Sequence, residues 1–565
     1  MKMKMKIFRK IIFGSVVTVS ALSTSCNKEY FNRPPKSSVA IGNFYQNAAQ
    51  VEAATNVLYS VPWFGWNTHA GWSISELSGG NARSWSSDIA DFSYFTVNNQ
   101  DRVLDAAWTS LFTEVAQANA LINTLPTAVP ASVDKAVVNN ALGEAHLWRA
   151  LAYFHLVRTY GPVPIIENTS TDISNFQVPR NPVTDVYKFI VNDLLFAEAN
   201  CTAKIRGSAY SNNAHVSSGS ASALLAKVYL YMQDYKDARA EAEKVLGSGE
   251  FKLYGIDLPG KQYSDLFLTA NNNNEESIIA LQWAGGAAVN NNTYGYGNSF
   301  QASAAASSQI TGTGDGYGEV GPTFDLQDEF DPADLRRKPT YMLPGDNYPE
   351  IDQAAGGYTY PAGGSEQGTN CAVKKYVVGT PADNGGVGAA QSSANNTYML
   401  RYADVYLIEA EAVMAGATSS TDPVALNAIN TIRKRAGLAP LTIIKRFYTI
   451  ANPNYGLYGP TPNSSVPQNI IKDDIIEERR REFAFEDDFF FDLMRVDGFN
   501  NTTHTLGIKL MEQQDRGTAG STAPVVRYGN QYLTVTASML QFQIPAVEIA
   551  ADPQLSAPPV PYVFK

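Results

Sequence analysis

The chain has 565 residues, 44% of them apolar and 11% aromatic, which supplies ample material for a folded core and argues against intrinsic disorder. Its formal net charge is −11, and it is −16 without the first 25 residues, which contain five basic residues and no acids. That acidic balance excludes nucleic-acid binding, which requires a basic face.

The first 25 residues are typical of a secretory signal. A basic segment, MKMKMKIFRK, precedes a short apolar run, Ile11–Leu22, which is too short for a membrane-spanning helix. Small residues then lead to Cys26, so two kinds of cleavage fit: ordinary cleavage after Ser25, or lipoprotein cleavage that leaves an acylated cysteine first. We expect residues 26–565 to form a single domain.

Three helices are predicted in the first third of the chain. Phe44–Tyr59 has an amphipathic pattern, and apolar residues recur every three or four positions over Leu104–Leu125, so we expect these two helices to pair as a hairpin. In the third, Val137–Tyr160, apolar residues cover most of the circumference, which predicts a buried helix. Gly161 and Pro162 end it.

Two insertions have a different composition. Residues 61–102 carry four of the seven tryptophans among Ser, Asn and Gly, namely Trp63, Trp66, Trp72 and Trp85. Residues 283–396 contain long stretches rich in Gly, Asn, Ser, Pro and Tyr. Insertions of this length in an exported protein are usually functional or disordered. We therefore expect them to form a loop-rich, ligand-binding half.

The remaining periodic segments predict further helical hairpins. They are residues 183–197, 220–233, 235–246, 399–415 and 423–436. Small alanines alternating with tyrosines in 220–246 resemble the packing of tetratricopeptide helices. Stacked hairpins of this kind form a rigid scaffold. The predicted fold class is therefore mainly α, with a tetratricopeptide-like helical hairpin scaffold beneath the loop-rich half.

A strongly charged helix is predicted near the C-terminus, over Asp473–Arg481. Glu477 and Arg481 stand four positions apart there, which favours an ion pair along one helix face. Such runs are usually solvated and contribute only a few tenths of a kcal/mol. We interpret this run as structural, without a role in function.

Four segments, in order along the chain, carry a more specific signal. They are RALAYFHLVRTYGPVP (149–164), GPTFDLQDEFDPADLRRKPTY (321–341), IIKDDIIEERRREFAFEDDFFFDLMR (470–495) and FQIPAVEIAADPQL (542–555). Together they resemble the starch-utilisation D (SusD/RagB) family of bacterial outer-membrane lipoproteins. The chain departs from the family pattern at Asp487, where a glycine is usual, and at Phe489, where an arginine is usual. Both changes are expected to weaken a local salt-bridge network.

The resemblance implies a surface-exposed glycan-binding lipoprotein of the outer membrane. It implies that oligosaccharides are bound without covalent chemistry and handed to a TonB-dependent (SusC-like) transporter. It also favours acylation of Cys26 as the membrane anchor.

Two other classes of function are alternatives. One is a helical-repeat scaffold that binds protein or peptide partners at the outer membrane. The other is a glycan-active enzyme, which requires two facing carboxylates, and no pair stands out among 54 acidic residues. The sequence also lacks H-E-x-x-H and G-x-S-x-G motifs, and its five histidines are scattered. We predict a protein that is not an enzyme and that uses no cofactor or metal.

The candidate ligand site is drawn from the two insertions, because a sugar has apolar C–H faces and a rim of hydroxyls. We predict that Trp72 and Trp85 form a stacking platform. Polar side chains that read hydroxyls and aromatic side chains from the later loop complete the predicted site: Asn81, Arg83, Asp88, Trp283, Tyr294 and Tyr296. The alternative is that these tryptophans are core residues, since Trp is highly buried on average.

Overall fold

The computed structural model describes residues 44–168, 176–285, 296–305, 307–312, 316–363, 367–386, 391–456, 466–516 and 533–564. The predicted signal and Cys26 lie outside these ranges, and so does Tyr294. Within them, no helix is both long enough and apolar enough to cross a lipid bilayer.

Helices dominate the described residues. In chain order they are α1 (Ala48–Ala54), α2 (Ala90–Tyr94), α3 (Arg102–Ala128), α4 (Lys135–Tyr160), α5 (Val183–Asn200), α6 (Ser218–Tyr231), α7 (Tyr235–Ser248), α8 (Phe300–Ala304), α9 (Ser308–Thr311), α10 (Phe324–Glu329), α11 (Arg337–Thr340), α12 (Tyr402–Met414), α13 (Pro423–Arg435), α14 (Asp474–Phe483), α15 (Phe489–Arg495), α16 (Thr505–Glu512) and α17 (Ala546–Ala551).

The strands are short and form two-stranded antiparallel sheets throughout the described chain. They are β1 (Ala82–Arg83), β2 (Ser277–Leu281), β3 (Gly321–Pro322), β4 (Tyr341–Met342), β5 (Asn347–Tyr348), β6 (Tyr358–Thr359), β7 (Ala372–Val373), β8 (Thr397–Arg401), β9 (Ser419–Ser420), β10 (Ile444–Lys445), β11 (Tyr448–Ala451) and β12 (Asn469–Lys472). The pairs are β1–β3, β2–β8, β4–β7, β5–β6, β9–β10 and β11–β12.

The long helices pack in sequence, each against the next. The array runs α3, α4, α5, α6, α7, α12 and α13. Alanines make close packing possible, as at Ala223 and Ala226 in α6 and at Ala238 and Ala242 in α7, all of which are fully buried. Between α12 and α13 the chain turns at Ala415 and Gly416, which both adopt left-handed backbone conformations. The array confirms the predicted mainly α scaffold of helical hairpins.

The predicted first hairpin is wrong. The opening helix α1 has only seven residues, and it packs chiefly against α4. The partner of α3 is also α4, because α4 is apolar around most of its circumference and accepts neighbours on several sides.

The first insertion is more helical than its composition predicts. Trp66–Ala70 and Ser73–Leu77 form π-helical turns, in which the N–H of Gly71 bonds the carbonyl of Trp66. This wider winding does not follow the 3.6-residue period, so a search for that period misses it. The expectation of a loop is therefore wrong for this part of residues 61–102.

The second insertion is loop-rich, as predicted. Strands β2 and β8 pair at its two ends and anchor it to the helical array. Between them lie α8 to α11 and strands β3 to β7, each of six residues or fewer.

Five buried charged side chains join this insertion to the helices. They are Glu276, Arg336, Arg401, Arg435 and Glu482, which we call the junction network. Arg401 lies 2.7 Å from Glu276 and 3.0 Å from Glu482, between Nη and Oε atoms. Burial opposes ionisation of Glu482, but the guanidinium groups around it hold its pKa well below its usual range.

The charged helix α14 is buried, so its interpretation as a solvated face is wrong. Glu478 and Arg479 are almost inaccessible to solvent. The predicted pair Glu477–Arg481 is long, at 4.0 Å, whereas Arg481 Nη2 lies 3.0 Å from Glu478. The charges of α14 are therefore part of the interior and bond to neighbouring elements.

Ion pairs are present around residues 487–489 despite the two departures from the family pattern. Asp487 has a φ of 62°, the left-handed conformation that favours the usual glycine. The ring of Phe489 lies 4.7 Å below the guanidinium carbon of Arg480. Asp488, between them, pairs with Arg158 at 3.0 Å and also with Lys227.

Candidate functional site

The candidate site is built where the two insertions meet. Strand β1 pairs with β3, so that Arg83 lies opposite Gly321. The side-chain amide of Gln367 then connects both segments: its Oε1 accepts the N–H of Trp85 at 2.9 Å, and its Nε2 donates to the carbonyl of Gly318 at 2.8 Å. The buried amide of Gln367 thus bonds the backbone of Trp85 on one side and, on the other, the backbone of Gly318, which follows Tyr317.

Both aromatic rings are accessible to solvent. Trp85 is 37% exposed and Tyr317 is 52% exposed. We call these two residues, with Gln367 between them, the aromatic surface. A side chain that stacks on a ligand must offer an accessible ring, and these two do.

Trp72 does not share a platform with Trp85, so this part of the prediction is wrong. It is only 2% exposed, and its ring packs 5.7 Å from Phe300 and 5.6 Å from His69, between ring centroids. Its Nε1 donates to the carbonyl of Thr68. Trp72, which lies between the two π-helical turns, is therefore a core residue.

Asn81 and Arg83 are also buried, so they do not present polar groups to a ligand in this structure. Asn81 donates to Glu76 at 2.8 Å and accepts from Arg480 at 2.7 Å. Arg83 donates to the carbonyl of Gln367 at 2.6 Å. Their polar groups fix the backbone beneath the aromatic surface, which is a supporting role.

The other predicted residues are divided between core and surface. Trp283 is buried, and its Nε1 donates to Thr397 Oγ1 at 3.1 Å, so it is not accessible for stacking. Tyr296 is 46% exposed and accepts a backbone hydrogen bond from Ala284. Asp88 is exposed and pairs with Arg102 at 2.9 Å.

Three polar residues at the site are absent from the predicted set. Besides Gln367, they are His69 and Glu319, whose Nε2 and Oε1 atoms lie 3.0 Å apart. Ser303 Oγ donates to the same Glu319 oxygen at 2.7 Å. Residues 69, 319 and 367 are far apart along the chain, and no local pattern could have brought them together.

A pair of acidic side chains lies beneath the site. Burial raises the pKa of Glu76 to about 7, and burial together with the nearby Glu76 raises the pKa of Asp487 well above its usual value. Glu76 accepts backbone hydrogen bonds from Phe485 and Asp487 at 2.9 and 3.1 Å. These contacts tie the first insertion to the segment that follows α14.

Metal coordination finds no support in the described ranges. They contain no group of three or more His, Cys, Asp or Glu side chains arranged to hold an ion. The site as built offers aromatic rings and hydrogen-bonding groups, which suits non-covalent binding.

Two family descriptions match the chain. The SusD family matches residues 275–559, and a family described as starch-binding associating with outer membrane matches residues 66–230. A SusD-like protein of Bacteroides ovatus is 30% identical over 594 aligned positions, which cover 99% of this chain and 100% of that protein.

Two solved structures extend this similarity to the fold. One, a crystal structure with a xylogluco-oligosaccharide, is 30% identical with a TM-score of 0.72, and the match covers 91% of this chain and 99% of that one. The other, a laminarin-binding SusD-like protein, is 25% identical with a TM-score of 0.65, over 90% of this chain and 99% of that one. Both matches span the helical array and the loop-rich half together.

Proposed function

The chain belongs to the SusD family, and from this we propose that it is a cell-surface protein that captures oligosaccharides without altering them chemically. The observation that carries the proposal is the aromatic surface, where Trp85 and Tyr317 are exposed and Gln367 bonds the backbone of Trp85 and of Gly318. A relative of the same fold, 30% identical, has been crystallised with a xylogluco-oligosaccharide.

Binding would follow from two complementary features of a sugar. Its apolar C–H faces stack on the flat rings of Trp85 and Tyr317, which are large and lose little conformational freedom on binding. Its hydroxyls exchange hydrogen bonds with neighbouring polar side chains, of which His69 is 36% exposed and Asp88 is 59% exposed. No covalent step is required.

The test is the affinity of the purified protein for a panel of polysaccharides. Xyloglucan, laminarin and starch come first, and the Trp85→Ala/Tyr317→Ala double variant is measured beside the parent. We expect at least one glycan to bind the parent and to bind the double variant at least tenfold more weakly. Failure of every glycan to bind would contradict the proposal, and unchanged binding by the variant would place the ligand elsewhere.

Delivery of the captured glycan to a TonB-dependent transporter is the second part of the proposal. The helical half carries exposed apolar side chains at Leu195, Phe196 and Ile205, which are suited to contact with another protein. Extraction in mild detergents followed by affinity purification should recover a large β-barrel protein as the main partner. If the barrel is recovered but no glycan binds, the alternative, a scaffold for protein or peptide partners, is favoured.

Anchoring through Cys26 completes the proposal. A single acyl chain holds a protein to a membrane only marginally, whereas two or more make the anchor stable, so we expect Cys26 to carry more than one chain. The Cys26→Ala variant should move from the membrane fraction to the soluble fraction. A variant that stays with the membranes would show that another contact holds the protein there.

A further inference from the structure

A cavity on another part of the molecule shares no residue with the aromatic surface. It has a volume of about 640 Å³ and lies among the end of α4, the start of α5, helix α15 and residues 498–504 and 537–541. Sites for small molecules typically have volumes of about 300–1,000 Å³. The cavity is large enough for one short oligosaccharide.

The walls of the cavity combine aromatic rings with side-chain amides. Phe499 is half-buried, and the buried ring of Tyr187 meets it edge to face, with ring centroids 4.7 Å apart. The buried Phe491 also lines the cavity. Asn500 and Asn501 follow Phe499 directly. Rings that match apolar C–H faces, next to amides that match hydroxyls, suit a pyranose better than a purely apolar ligand.

Gln541 adds a third amide, in a fixed position. Its Nε2 donates to the carbonyl of Tyr160 at 3.2 Å, which leaves its oxygen as an acceptor. The Gln541 side chain can lie this close to the backbone because residue 161 is glycine: a Cβ there would lie 2.2 Å from Gln541 Nε2. Gly161 also has a φ of 72°, which favours glycine.

Cationic groups line the cavity, and no acidic residue of the described chain does. Two of the three arginines have carboxylate partners: Arg158 lies 3.0 Å from Asp488, and Arg495 lies 2.8 Å from Glu411. Their charges are therefore compensated within the protein.

Arg180, the third arginine, has no carboxylate within ion-pair distance in the ranges that the structure describes. Its Nη2 donates to the carbonyl of Ala557 at 2.7 Å, and its Nε is buried without a hydrogen-bond acceptor. Burial lowers its pKa, whereas the pKa of the carboxylate-paired Arg158 is raised. A ligand that brings a carboxylate would supply the missing counter-charge and acceptor.

The backbone beside Arg180 adds to this preference for an anion. Helix α5 has 18 residues, and its first residue, Val183, lines the cavity. The N-cap residue is Pro182, which makes no side-chain capping bond. The positive end of the helix dipole thus reinforces the charge of Arg180.

We propose that this cavity is a second saccharide site, specific for a sugar acid whose carboxylate pairs with Arg180 while its ring packs against Phe499. The site is separate from the aromatic surface, so its existence does not depend on which neutral glycan binds there. It gives the protein a means of recognising uronic-acid units.

The test is titration calorimetry at low salt with 1,4-linked digalacturonic acid and with the neutral disaccharide 1,4-galactobiose. The acid should bind at least tenfold more tightly than the neutral sugar. Arg180→Gln keeps a donor for Ala557 but removes the charge, so it should abolish this preference. Phe499→Leu should weaken binding of the acid, and Glu243→Gln, on the exposed face of α7 and outside both sites, should leave it unchanged.

The proposal is overturned if neither disaccharide binds, or if both bind equally to the parent. It is also overturned if the dipeptide Asp-Asp binds as tightly as the sugar acid, since the rings and amides would then have no role. Thermal unfolding of each variant is measured in parallel. If Arg180→Gln is destabilised, Phe499→Leu decides, and unchanged affinity in that variant contradicts the proposal.

Discussion

In the junction network, three guanidinium groups and two carboxylates are removed almost completely from water, whereas at the aromatic surface Trp85 and Tyr317 keep much of their rings in contact with it. Every charge in the network is matched: Arg435, for example, lies 2.8 Å from Glu276 and also pairs with Glu482.

This difference separates residues that hold the fold from residues available for binding. A buried ion pair is costly to break, because the remaining charge stays in a medium that cannot solvate it. An exposed ring can be removed at little cost to stability, because water takes its place. Residue type alone does not distinguish the two cases: Trp72 and Trp85 are the same residue in the same insertion, yet only Trp85 is accessible.

The largest effect is expected in the junction network. Glu482→Gln removes the negative charge shared by Arg336, Arg401 and Arg435. It should lower the free energy of unfolding by about 3–5 kcal/mol, as is usual when one partner of a buried ion pair is removed. Urea unfolding followed by tryptophan fluorescence measures this change.

Glu243→Gln provides the matched control. It removes a carboxylate from the exposed pair Arg239–Glu243 on α7, where water solvates both groups. The loss should be no more than about 0.5 kcal/mol. Equal effects of the two substitutions would contradict the distinction between buried and exposed charge.

Lowering the pH should destabilise the protein, because buried carboxylates that pair with cationic side chains become protonated. Burial opposes ionisation of Glu478, but the nearby Arg336 and Arg481 hold its pKa at about 2, and Lys227 similarly lowers the pKa of Asp488 to about 2. Unfolding returns them to ordinary values of 4.5 and 3.8, so the unfolded chain binds more protons as pH falls. Their stabilisation is present above pH 4.5 and is lost as the pH falls towards 2.

Glu76 acts in the opposite sense. Because burial raises its pKa from 4.5 to about 7, its contribution to stability is present below pH 4.5 and is lost as the pH rises through 7. Urea midpoints measured from pH 3 to 8 should therefore reach a maximum between about pH 4.5 and 7. A midpoint that stays constant down to pH 3 would contradict the assignment of Glu478 and Asp488.

Much of the scaffold could be predicted from the sequence, because helical period and small residues specify both the helices and their packing. The buried helix α4 and the hairpin of α12 and α13 are examples. The pairing of α3 with α4 could not be predicted, since α4 is apolar around most of its circumference and accepts neighbours on several sides. The π-helical turns could not be predicted either, because their winding departs from the 3.6-residue period of an α-helix.

The candidate site was predicted less well than the scaffold. Composition draws the candidate residues from two insertions, and of these residues Trp85 and Tyr296 are exposed aromatics. It could not separate them from Trp72 and Trp283, because burial depends on which segments pack over a residue. Gln367, which holds the aromatic surface together, lies more than 280 positions from Trp85.

A small effect on stability, and the clearest effect on binding, are expected for Trp85→Ala. Since the side chain is 37% exposed, its loss should lower the free energy of unfolding by less than about 1 kcal/mol. Glycan affinity should fall roughly tenfold, which corresponds to about 1.4 kcal/mol of stacking. Trp72→Ala is the matched control: it leaves a cavity in the core and should cost about 3–5 kcal/mol of stability. If Trp85→Ala unfolds as readily as Trp72→Ala, then Trp85 is a core residue, and the aromatic surface is not where the glycan stacks.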